Sequence, residues 1–359
     1  METKINKLTL LEMLRVFVAI FGSMIIVFIV IFFISDQPLE AINDFIFGPF
    51  TSVRRMGNII EAMVPITFTG LAVVMLYRAG LFNLSMEGAF FIGSVAATAS
   101  ALTFNLPAGL NLIVAMICAM LAGGLTCLIP GLLKVKCNAN ELVTSLMLNY
   151  VMLFLGLFII TEYFYDPKMN STYSYMFDKS MFLPRIIKGT RINIGIFIAI
   201  FAVAVLWLIL NKTSFGYKVT LVGKNGEMAN YSGLKTGLII MASQFIGGMF
   251  AGLGGSVELF GMYRRFQYTA LPRYGWDGVL IAIVARYKAK YVPLAALFLA
   301  YIRTGADIMS RNTDIPFEIV TIIQAIVIVL ITAKIILAEY RKKVIVEDVK
   351  SFEKKKVIN

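Results

Sequence analysis

Apolar runs of about twenty residues follow one another along nearly the whole chain, and this repetition restricts the fold more than any motif does. In hydrocarbon every backbone N–H and C=O must be satisfied within the protein, so such runs become membrane-crossing helices. Windows of that length fall near 16–34, 59–78, 88–104, 108–132, 141–161, 194–210, 237–259, 277–286, 291–309 and 315–337. The expectation is an all-α integral membrane protein of about ten helices, with a polytopic domain over 1–338 and a basic cytoplasmic tail over 339–359. The window at 277–286 is too short to cross alone; it reads as a helix extended by its flanks or a broken helix held inside the protein. Composition agrees, since only 15% of the residues are charged against roughly 25% in an aqueous domain.

Lys4, Lys7 and Arg15 precede an apolar run that lacks a small-residue cleavage site, which reads as an uncleaved anchor. With that end inside, most of the 33 Lys and Arg residues fall on cytoplasmic segments, so both termini are expected in the cytoplasm. The net charge of +12 then follows from orientation and anionic lipid headgroups, and nucleic acid is not needed as a partner. The chain has no His, which weakens imidazole acid–base chemistry and metal binding as its purpose; no cofactor is expected. Cys118, Cys127 and Cys137 crowd one apolar segment without C-x-x-C spacing and read as reduced packing residues.

Polar residues inside this apolar frame carry the functional signal. Between two spans lies Gly80-Leu-Phe-Asn83-Leu-Ser-Met-Glu87-Gly88, a helix-breaking segment with an amide and a carboxylate at membrane depth. A charge there costs about 2.5–3.5 kcal/mol even on lenient insertion scales, so it needs a polar partner or a water-filled path. Glu87 reads either as a cap on the helix starting at Gly88 or as a group that touches solute. The same acid-glycine step recurs as Asp277-Gly278, five spans later and so with reversed direction, the pattern of inverted halves whose broken helices meet around a central path. Asn83, Glu87, Asn140, Glu141, Asn149, Gln244 and Asp277 are the candidates to line a translocation pathway. Groups of this kind suit a polar, uncharged solute, and Phe82, Phe90 and Tyr150 are candidates to stack an aromatic base.

Two loops exceed the usual connector length. Residues 162–193, expected outside, are rich in Tyr and charge; Arg185, Lys188 and Arg191, with Arg264, Arg265 and Arg273, are candidates to grip carboxylates on a docking partner. Residues 211–236, expected inside, are punctuated by Gly216, Gly223, Gly226 and Gly233 and read as one or two small helices lying against a partner. Gly223-Lys224 is followed by Asn225 and lacks the upstream glycine of a phosphate-cradling loop, so this chain does not hydrolyse ATP. No Ser-Lys, His-Glu or paired-aspartate constellation falls on the spans, which argues against an enzyme. Gly247, Gly248, Ala251, Gly252, Gly254 and Gly255 mark a helix that packs closely on its neighbours.

Gly80 to Gly88, Asn140-Glu141-Leu-Val-Thr-Ser-Leu-Met-Leu-Asn149-Tyr150, Thr213-Ser-Phe-Gly216-Tyr-Lys-Val-Thr-Leu-Val-Gly223-Lys-Asn and Tyr274-Gly275-Trp276-Asp277-Gly278-Val follow in an order that resembles bacterial ABC importer permeases of the ribose and branched-chain amino-acid family. The likeness runs from about residue 57 to 337 and is nearest the nucleoside and simple-sugar subgroup. It departs at Ala89-Phe90, where the subgroup usually has a polar Gln, and at Glu227-Met-Ala229-Asn, where a small pair is usual. The resemblance implies a bacterial cell-membrane permease of ten helices in 5+5 inverted halves. It also implies a second, non-identical permease subunit, a separate cytoplasmic ATPase resting on the loop with Gly216, Gly223, Ala229 and Gly233, and an extracellular lipoprotein that delivers a nucleoside or simple sugar. The residues alone also allow an ion-driven transporter with Glu87, Glu141 or Asp277 as the coupling site.

Overall fold

A computed structural model describes residues 22, 25–29, 31–33, 35–104, 106, 107, 109–169, 171–316, 322 and 325. The expected tail at 339–359, and most of the expected spans at 16–34 and 315–337, lie outside the described residues. The chain divides into two compact units, residues 50–304 and a smaller one formed by Met1–Pro49 with Gly305–Asn359.

The helices are α1 (Pro38–Ile46), α2 (Val53–Arg78), α3 (Met86–Thr103), α4 (Leu110–Cys137), α5 (Glu141–Tyr163), α6 (Gly195–Lys212), α7 (Ser214–Lys224), α8 (Gly226–Tyr231), α9 (Thr236–Met262), α10 (Tyr274–Val284) and α11 (Val292–Asn312). No strand occurs among the described residues; two isolated bridges, Tyr165 with Ser174 and Arg185 with Asn193, pin the loop after α5. By length and composition seven helices among the described residues can cross a membrane, and α10, at 11 residues, cannot. The short window near 277–286 is therefore a short helix packed inside the protein, not one lengthened by its flanks.

Local chemistry places the ends. Ser52 Oγ accepts from the Arg55 N–H at 3.2 Å to open α2, and Thr213 and Asn225 cap α7 and α8 through the N–H groups of Gly216 and Met228. The glycine-punctuated loop at 211–236 thus forms two small helices, as expected.

In the larger unit α2 and α3 are central, with 89% and 72% of their apolar windows buried, while α5 and α6 are peripheral at 28% each. The outer helices expose Phe154, Phe158, Phe197 and Phe201, side chains suited to lipid or to another apolar helix. α9 packs on α2, α3 and α4. Its small residues allow this: Gly248 and Gly252 meet the carbonyls of Gly123 and Ala119 on α4, and Gly255 meets the Phe90 carbonyl on α3. The small-residue stripe is spent on contacts within the chain.

The loop after α5 is anchored by buried Phe177, Met181 and Leu183. Its backbone is tied to the segment after α9, Ser174 N–H to Phe266 O at 3.1 Å and Phe177 N–H to Arg264 O at 3.0 Å. In the smaller unit Gly305 lies against the Phe45 carbonyl and Asn312 Nδ2 donates to Asp44 Oδ2 at 2.8 Å. The Ser35 hydroxyl and the Asp36 N–H, at 2.6 and 2.8 Å, hold the Asp314 carboxyl below the usual carboxylate range.

Candidate functional site

The break between α2 and α3 is written in the sequence. Gly80 takes a φ of +72°, open to glycine at no steric cost, and turns the chain out of α2. Residues 81–84 then run without helical structure. Two side chains of α5 take up the freed backbone groups: Leu84 N–H donates to Ser145 Oγ at 3.0 Å, Gly88 N–H to Asn149 Oδ1 at 2.9 Å, and Asn149 Nδ2 to Leu84 O at 3.0 Å.

Asn83 extends this into a chain. Its Oδ1 accepts from the Ser85 N–H at 2.7 Å and the Ser85 hydroxyl at 2.6 Å, and its Nδ2 donates to Gln244 Oε1. Gln244 Nε2 donates to Glu141 Oε1, and Glu141 Oε2 pairs with Lys134 Nζ at 2.6 Å. Asn83, Gln244 and Glu141, scattered in sequence, form one buried hydrogen-bonded chain at the Arg78 end of α2, and buried Asn149 binds the backbone of the same break. Asn140 does not join them: it is exposed, and its Oδ1 caps α5 through the Leu142 N–H at 3.0 Å. Phe82 and Tyr150 are exposed as well, leaving Phe90 as the buried member of the three aromatic candidates. Of the three cysteines Cys127 is buried, within 3.3 Å of the Ser85 hydroxyl, Cys118 is half-buried, and Cys137 is exposed, which corrects the expectation that all three pack.

Glu87 corrects a second expectation. Its carboxylate does not cap the helix on which it sits; Oε2 accepts from the Gly275 N–H at 2.6 Å and Oε1 from the Arg273 N–H, so it caps α10. α3 and α10 therefore meet N-terminus to N-terminus, with a buried carboxylate between two positive helix ends. Glycine is required for the approach, because a Cβ on Gly275 would lie 2.5 Å from the Glu87 nitrogen. At the far end of α10, Arg78 Nε donates to Tyr287 O at 3.2 Å, so both ends of this short helix are held by residues flanking the break.

The same segment touches α7. A Cβ on Gly223 would strike the Arg78 carbonyl and lie 2.9 Å from the Gly80 nitrogen. Gly216, one end of α7, sits against the Ile209 and Leu210 carbonyls of α6; Ala229 is buried on α8, and Gly233 closes the loop at a φ of +78°.

A second polar group lies toward the Val53 end of α2. Glu258 on α9 is buried and accepts from the hydroxyls of Tyr268 and Tyr274, each at 2.6 Å. Asp277 Oδ2 pairs with Arg303 Nη2 at 2.6 Å, and Glu61 Oε2 lies 3.9 Å from Arg191 Nη1. The Phe90 ring packs on Tyr274 at 5.1 Å. Glu61, Glu258 and Arg303 are absent from the candidates drawn from motifs, although each is a charged residue within an expected span, and that signal suffices to find them.

Of the six basic candidates, Arg185, Lys188, Arg191, Arg264 and Arg273 are exposed. Arg265 is turned inward, 3.6 Å from Asp166 with both side chains 14% exposed.

The matches to known proteins cover the region that holds both polar groups. The guanosine ABC transporter permease protein NupP of Bacillus subtilis is 33% identical, covering 82% of this chain and 87% of the relative. The glucose ABC transporter permease protein TsgB13 of Haloferax volcanii is 30% identical, over 86% and 84%. The nucleoside ABC transporter permease protein NupB of Lactococcus lactis is 29% identical, over 89% and 90%; the two bacterial species each carry a second, more distant match, NupQ and NupC. Seven apolar helices among the described residues, with polar groups buried between them, make this a multi-pass membrane protein. Because residues 55–332, most of the sequence, match the family described as branched-chain amino acid transport system / permease component, the chain belongs to that family of transporter permeases in the cell membrane.

Proposed function

We propose that this chain forms one side of the translocation pathway of an ATP-driven importer whose solute is a nucleoside. The observation that carries the reading is the 33% identity, over 82% of this chain, to a permease protein named for guanosine. The relative named for glucose makes a simple sugar the competing solute. Buried amide, hydroxyl and carboxylate groups, with the Phe90 and Tyr274 rings among them, suit a path for a neutral ligand with both hydroxyls and an aromatic base.

In this reading helices over 16–34 and 315–337 complete a set of ten in two inverted halves, both termini are cytoplasmic, and residues 339–359 form a basic tail. The head-to-head meeting of α3 and α10 at Glu87 supports the inversion. Asn83, Glu141, Asn149 and Gln244 then belong to the inner half of the path, Asp277 to the outer half, and Glu87 to the junction; Asn140 contributes at the inner mouth. α7 and α8 rest on a cytoplasmic ATPase, and their motion reaches the break through Gly223 and Gly80. Arg185, Lys188, Arg191, Arg264 and Arg273 face an extracellular lipoprotein, and the second permease is a non-identical relative, as the pairing of NupP with NupQ suggests.

The test is uptake of labelled guanosine and glucose by cells with and without this gene, with proton and sodium gradients collapsed and ATP maintained. Gene-dependent guanosine uptake that persists supports the proposal; uptake that disappears with the gradients overturns it.

A further inference from the structure

Glu61, Glu258 and the tyrosines near them take no part in satisfying the α2–α3 break, so their burial needs another explanation. α2 and α9 pack antiparallel: Phe68 lies against Gly254, and Ala72 and Leu76 lie against Gly247. Followed toward the Val53 end of α2, that register brings Glu61 to the part of α9 that carries Glu258. Glu258 is satisfied, one oxygen by each of two tyrosine hydroxyls. Glu61 is not. It is 8% exposed, its Oε1 has no hydrogen-bond partner, and its Oε2 lies 3.9 Å from Arg191 Nη1, beyond hydrogen-bond reach. Asn58, one turn earlier on α2, also has an unpartnered Oδ1. Buried acceptors left open are costly, so this pair points to donors that arrive with a ligand.

The surroundings restrict what the ligand is. Arg191 and Arg303 stand close to the two carboxylates and disfavour a cation. Tyr263, half-buried and near both Glu61 and Glu258, packs edge-on against Tyr268 at 5.5 Å and offers an aromatic edge to a ring. The Arg191 side chain is 46% exposed, so solvent reaches the rim of the cluster. Several hydroxyl donors on a neutral ring satisfy these conditions together.

We propose that Glu61, with Asn58 beside it, is a subsite for the vicinal hydroxyls of a ribosyl ring in the outer half of the path. The proposal deepens the nucleoside reading and rests on it. The test is ATP-driven uptake by the complete transporter of labelled guanosine and 2′-deoxyguanosine, each at a concentration that saturates delivery. Glu61→Gln is expected to lower guanosine uptake at least tenfold and uptake of 2′-deoxyguanosine, which keeps only the 3′-hydroxyl contact, by about threefold or less, at equal amounts of protein in the membrane. An equal fall for both solutes, or no fall, overturns the subsite. If Glu61→Gln does not reach the membrane, Asn58→Ala is read by the same ratio, with a threefold selective loss expected. If the wild type moves neither nucleoside, the nucleoside reading fails by itself; ribose against 2-deoxyribose then decides the subsite by the same criterion.

Discussion

Glu87 and Gly275 join the two broken regions of this protein, the carboxylate of one accepting the N–H of the other at 2.6 Å across 188 residues of sequence. Because Arg273 N–H fills the second oxygen, Glu87 acts through two acceptors, and its charge also offsets two helix dipoles.

Glu87→Gln supplies one acceptor and turns an NH₂ toward the remaining N–H. We predict a loss of about 1–3 kcal/mol and a several-fold fall in ATP-driven uptake. Glu87→Leu, which satisfies neither donor, should abolish uptake. Thermal unfolding of the purified protein checks the first figure, and a Gln variant as stable as wild type would refute the bonding described.

Replacing Gly223 by Val drives a side chain into the Arg78 carbonyl beside Gly80. Forced contacts of this kind cost about 1–3 kcal/mol, and here the backbone at the break must move. Uptake should fall steeply while ATP hydrolysis by the complex continues. Gly226→Ala meets no atom within 4 Å and should leave both rates unchanged, whereas Gly233→Val is strained at a φ of +78° and should cost about 1–2 kcal/mol. Uptake by Gly223→Val at the wild-type rate would separate α7 from the stroke.

Gln244 bridges Asn83 and Glu141, so Gln244→Ala leaves a buried amide and a buried carboxylate oxygen short of a partner. The expected loss is about 1–3 kcal/mol for each orphaned group. Lys134→Ala should cost less, because that side chain is 34% exposed and water screens the pair. A double-mutant cycle of Asn83→Ala with Gln244→Ala should give a coupling of about 0.5–3 kcal/mol; additivity would mean the two do not interact.

Reversal of charge at Arg185 and Lys188 together should weaken capture of the binding protein and flatten its salt dependence. Arg265→Ala should instead lower stability, with capture unaltered, because its guanidinium is spent on Asp166. Titration of binding-protein affinity against salt distinguishes the two; an unchanged slope in the double reversal rules out these residues as docking groups.

The amino-acid sequence by itself marked the seven membrane-crossing helices among the described residues, because hydrophobicity summed over about twenty residues is a local quantity that lipid reads directly. It also marked the break at Gly80 and the paired short helices at 213–231, where glycine and the Thr213 and Asn225 caps act within a few residues. The tertiary structure decided what the polar residues do. Asn149 holds the broken backbone at Leu84 and Gly88, and Asn83 holds the Ser85 N–H; Glu87 serves a helix 188 positions away; Arg265 is folded against Asp166. The physical reason is that a buried polar group takes its meaning from its partner, and these partners come from other helices, brought close by glycine-lined seams such as Gly248 on Gly123 whose register no local pattern specifies.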